Sequence, residues 1–114
     1  MTDSESYQVL QQINQQIAAV IKQIANFFQD DFEKSEELAI TLQESIGQRQ
    51  KLLAAWLPTT TADDIDQLNA EKTLSEQFEQ CIASFKQRYA NELATRKSNT
   101  QKVNLYKTLD AKGR

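Results

Sequence analysis

The chain has no histidine, one cysteine, one proline and two glycines among its 114 residues. Without an imidazole it cannot build a histidine-activated nucleophile or a histidine-ligated metal site. Cys81 has no second cysteine to close a disulfide with, which fits a reducing compartment, and a cytoplasmic location is expected. Long apolar runs are missing too: Ile17 to Ile21 and Leu52 to Leu57 fall far short of the ~20 residues of a membrane span, so no membrane partner is expected. The acidic, polar first turn does not read as a secretory leader. A Gly-rich phosphate loop is also absent. Abundant Ala and Gln, with Pro and Gly so scarce, favour helix almost everywhere.

The longest uninterrupted helical stretch runs from Thr61 to Lys97, with neither Pro nor Gly. Ile65, Leu68, Leu74, Phe78, Ile82, Phe85, Tyr89 and Leu93 follow helical spacing, and from Leu74 on they share one face. At about 1.5 Å per residue that face is too long for one helix to shield, so other segments are expected to lie against it. In the first segment Leu10, Ile13, Ile17, Val20, Ile24 and Phe27 alternate steps of three and four, the rhythm of a helix packed along a partner, with the intervening glutamines on the solvated side. The rhythm slips from Phe27 to Phe28 and Phe32 as Asp30 and Asp31 arrive. Asp30 with Glu33 has capping-box spacing for a second helix starting at Asp31, which carries Leu38, Leu42, Ile46, Leu53 and Trp56 to a stop before Pro58. Gly47 in its middle suggests a close-packing point. Thr61 with Asp64 gives a second capping signature. Ser98, Asn99 and Thr100 interrupt the stripe before Val103, Tyr106 and Leu109 resume it.

The expected fold is therefore all-α: an antiparallel helical hairpin or bundle of three main helices plus a short C-terminal helix, with helices near 5–28, 31–56, 62–97 and 100–109 in one domain, 1–114. Its chemistry is sparse. Asp30/Asp31 and Asp63/Asp64 open helices and Glu36/Glu37 face outward, so the paired carboxylates read as caps and solvated charge rather than as acid-base or metal sites. Cys81, beside Ile82, reads as a buried structural thiol. No catalytic residue, metal or cofactor is expected. Charge is lopsided, with eight basic and two acidic residues in Lys86 to Arg114 against five basic and fourteen acidic in Met1 to Phe85. Such asymmetry marks either a surface for acidic partners or a basic tail lying beside the chain's own acidic face.

The order of features then becomes suggestive: a Gln- and Ile-rich first helix, Asp30-Asp31-Phe32-Glu33-Lys34, Gln48-Arg49-Gln50-Lys51-Leu52-Leu53 leading to Leu57-Pro58, and a closing Lys102-Val103-Asn104-Leu105-Tyr106 followed by Asp110-Ala111-Lys112-Gly113. This pattern resembles the small flagellar type III export chaperones of the FliT family. The resemblance implies a non-enzymatic cytoplasmic chaperone that binds a flagellar filament-cap or related axial protein before export. Members of that family also contact the export ATPase and a flagellar transcription regulator. It further implies a partner-binding face of Phe78, Ile82, Phe85 and Tyr89 on the third helix and a regulatory cover of Val103, Tyr106 and Leu109.

Two other readings of the residues stay open. One is a nucleic-acid-binding helical hairpin using Arg88, Arg96, Lys97, Lys102, Lys107 and Arg114, against which stand the acidic net charge and the lack of interleaved exposed aromatics. The other is a coiled-coil adaptor that forms a homodimer through the first-helix heptad.

Overall fold

A computed structural model describes the backbone of residues 2–112 and the side chains of residues 5–99. The protein is all-α: α1 spans Thr2–Asp30, α2 spans Phe32–Trp56 and α3 spans Ile65–Lys112, with short 3₁₀ turns at Leu57–Thr59 and Ala62–Asp64. Among the described residues there is no strand. The chain divides into two compact units, Met1–Leu68 and Asn69–Arg114.

In the first unit a single residue separates two helices. Asp31 leaves helical geometry at φ −146° and ψ 82°, and its side chain accepts from the Lys34 N–H. That bond is 3.1 Å long. Its own N–H donates to the Phe27 carbonyl at 2.8 Å, and its carbonyl accepts from the Ser35 N–H at 3.1 Å. One residue thus closes α1 and caps α2, satisfying groups that two helix ends would otherwise leave unpaired. The cap therefore sits one residue later than the expected Asp30, which is the last residue of α1. The reason is local: only the residue outside helical φ/ψ can turn its carboxylate back onto the N–H three positions ahead.

From that turn the helices run antiparallel. Phe28 meets Phe32 edge-on at 5.4 Å between ring centroids. Farther out, the Arg49 Nε–H donates to Asn14 Oδ1 at 2.7 Å. At the open end Tyr7 lies against Trp56 at 5.3 Å. Partners on α1 come earlier in the chain as those on α2 come later, which only an antiparallel pair allows. Leu10, Ile13, Ile17, Ile24 and Phe28 of α1 are buried, as are Phe32, Leu42 and Trp56 of α2. Phe27 is half-buried and sits under the Lys34 ammonium, 4.6 Å from its ring centroid. The slip in the stripe therefore exchanges Phe27 for Phe28 as the core residue. Gly47 is not the close-packing point its position suggested, since a Cβ there would meet no atom within 4 Å.

The α-helix of α2 stops at Trp56 as the proline requires, but Leu57 keeps right-handed helical angles and Pro58 sits in the first positions of a 3₁₀ turn. A proline has no N–H to place at a helix start, so a fresh short turn tolerates it where a continuing helix does not. Thr61 then makes the expected reciprocal cap with Asp64: the Thr61 N–H donates to Asp64 Oδ2 at 2.9 Å, and the Asp63 N–H donates to Thr61 Oγ1 at 3.3 Å.

In the second unit α3 runs on through Ser98, Asn99 and Thr100 without a break, so the expected short helix near 100–109 is the end of α3 and not an element of its own. These three residues are weak helix formers, each costing no more than about 0.7 kcal/mol relative to Ala. Only Pro or a left-handed residue would stop a helix outright, and neither occurs there. The side chains of Val103, Tyr106 and Leu109, read above as a cover, lie outside the described residues.

Candidate partner-binding face

The apolar stripe of α3 is graded along its length. Phe78 and Phe85 are buried, Ile82 and Tyr89 are half-buried, and Leu93 is 51% exposed. The four residues expected to form one binding face do share a helical face, but its two phenylalanines present little surface to solvent. What stays accessible beside them is an open depression of about 440 Å³ lined by Gln77, Gln80, Cys81, Ser84 and Phe85. Cys81 is half-buried and contributes to this lining, so it is not the fully buried structural thiol its neighbours suggested. The side-chain amides and hydroxyl around one aromatic edge offer hydrogen bonds to a peptide and a place for one apolar side chain.

The sequence reading did not anticipate the buried polar groups. Asn14, Ser35, Arg49 and Glu71 are all nearly inaccessible. Ser35 Oγ donates to the Phe32 carbonyl at 2.6 Å, and Asn14 with Arg49 forms the bond described above. A buried cation holding an amide oxygen in a hairpin core favours one register, because a slip by one turn breaks this bond between two buried polar groups. One signal for this was present: Asn14 follows Ile13 directly, beside the inward stripe. Arg49, likewise, falls seven residues after Leu42 and seven before Trp56, which is the repeat of the buried side of α2.

Along the outer part of α3 the exposed residues interact locally. Arg96 pairs with Glu92 at 3.1 Å, one turn away. Gln87 donates to Asn91 at 3.4 Å, and Thr95 donates to the Asn91 carbonyl at 3.0 Å. Among the described residues no group of three or more His, Cys, Asp or Glu could hold a metal ion, and no helix is long and apolar enough to cross a membrane. No protein-family model, curated protein or solved structure matches the chain.

Proposed function

We propose that the protein is a non-enzymatic chaperone that holds a flagellar filament-cap or related axial protein before type III export in the cytoplasm. The resemblance of its helix order and motifs to the FliT family motivates this reading. The observation that carries it is the part-open face of α3, where Ile82 and Tyr89 are half-buried beside a depression bordered by Phe85 and Cys81. An amphipathic client helix is the occupant that such a face suits, since it brings apolar side chains at one-turn spacing to a helix that offers the same.

Cys81 supplies a direct test, because a thiol on the rim of the depression is shielded when a client lies over it. Alkylation of Cys81 in the full chain should slow at least about tenfold when a filament-cap fragment is present at saturating concentration. An unchanged alkylation rate despite calorimetric binding would move the client to another surface. No calorimetric binding at all would sink the chaperone reading.

A further inference from the structure

The charges of α3 are segregated around the depression. Thr73, Gln77, Gln80, Ser84 and Asn91 follow steps of four, three, four and seven, share the depression's side of the helix and are all exposed. Lys72, Glu76, Glu79 and Lys86, exposed as well, fall on the far side at 3.6 residues per turn. Arg88, one turn past Ser84, is the first exposed charge on the depression's own side after Asn69. In a chain with 25% charged residues, the accessible flank of the candidate face is therefore neutral over about four turns.

We propose that this flank selects clients by their lack of charge: the helix that lies over Ile82, Phe85 and Tyr89 carries Gln, Asn, Ser or Thr side chains beside its apolar seam. This rests on α3 being a client face and adds the chemistry of the client. An amide both donates and accepts, as does a hydroxyl, so Gln77, Gln80 and Ser84 pair with either group on a neighbouring helix. A carboxylate or ammonium laid there gives up water and meets no opposite charge along these positions, which weakens binding. Complementarity thus takes the form of shared neutrality. Arg88 sharpens the choice, since it repels a basic flank and offsets only one of several carboxylates on an acidic one. No ion pair is needed, so binding is nearly indifferent to salt.

Calorimetry of the full chain against three synthetic helical peptides tests it. All share one leucine seam at steps of three and four, and their flanking positions are all Gln, all Glu or all Lys. The Gln peptide should bind at least about tenfold more tightly than either charged one at about 0.1 M salt, change little at about 1 M, and slow alkylation of Cys81. Gln77→Glu together with Gln80→Glu should turn the preference towards the Lys peptide while leaving the helical circular dichroism unchanged. Equal binding of the three, a tighter charged peptide, or a preference that the two substitutions leave untouched would overturn the inference. So would binding that leaves Cys81 alkylation unchanged, which places the peptide elsewhere, and so would no binding at all, since the face then takes no helix. The chaperone reading fails separately. A filament-cap fragment that binds and protects Cys81 upholds that reading even where the peptides show no flank preference. A Gln preference without fragment binding upholds the neutral flank and removes only the flagellar client.

Discussion

The hairpin of α1 and α2 and the outer half of α3 are built from the same kinds of residue, yet their side chains are held in different ways. In the hairpin, Asn14 bonds Arg49 and Tyr7 meets Trp56, partners far apart in sequence. Beyond Phe85, Arg96 bonds Glu92 and Gln87 bonds Asn91, each within one turn. Tertiary burial supports a helix far more than local pairs do, since an exposed pair one turn apart gives only about 0.3–0.5 kcal/mol. The two regions should therefore answer mutation on different scales.

The largest effect is expected at Trp56. It is 2% exposed and closes the open end of the hairpin against Tyr7. Trp56→Ala should cost about 3–5 kcal/mol, read as a lower midpoint in urea unfolding. A loss below about 1 kcal/mol would mean that the hairpin end is not part of the cooperative core, and the contrast with outer α3 would fade.

A smaller effect separates register from burial. A hydrogen bond to a charged group contributes about 1.5–3 kcal/mol, so a double-mutant cycle with Asn14→Ala and Arg49→Met should show a coupling of about 2 kcal/mol. Coupling near zero would make the 2.7 Å contact incidental and leave register to the apolar stripes alone.

Legibility in the sequence divides along the same line. The alternating stripe of α1, the stop at Trp56 and the Thr61–Asp64 cap follow from spacing and side-chain chemistry within a few residues, and all appear in the structure. Exchange of Phe27 for Phe28 in the core was half legible, because the rhythm breaks there but spacing alone does not say which ring turns inward. The buried Asn14–Arg49 bond was not legible as such, since it joins residues whose proximity depends on hairpin register. Continuity of α3 through Ser98-Asn99-Thr100 was not legible, because weak helix formers interrupt the apolar stripe as a true stop does, yet only lower stability locally. At the candidate face, sequence placed Phe78, Ile82, Phe85 and Tyr89 on one side of α3. How far each is covered depends on packing, which periodicity does not encode.

The smallest effect carries the opposite sign and tests whether part of α2 obeys the local rules that govern outer α3. Gly47 lies in the interior of α2, where a glycine loses more backbone freedom on folding than any other residue. A tightly packed glycine repays that cost by letting another element approach, and its replacement then clashes. Here a Cβ would meet no atom within 4 Å, and the glycine does not have positive φ, so neither packing nor backbone conformation requires it. Gly47→Ala should stabilise the protein by about 0.5–1 kcal/mol, partly by restricting the unfolded chain. The check is a urea midpoint that rises while the slope of the transition stays unchanged, because a changed slope would report altered compactness instead. If the midpoint falls, something approaches this side of α2 in solution, and Gly47 belongs to a contact surface after all.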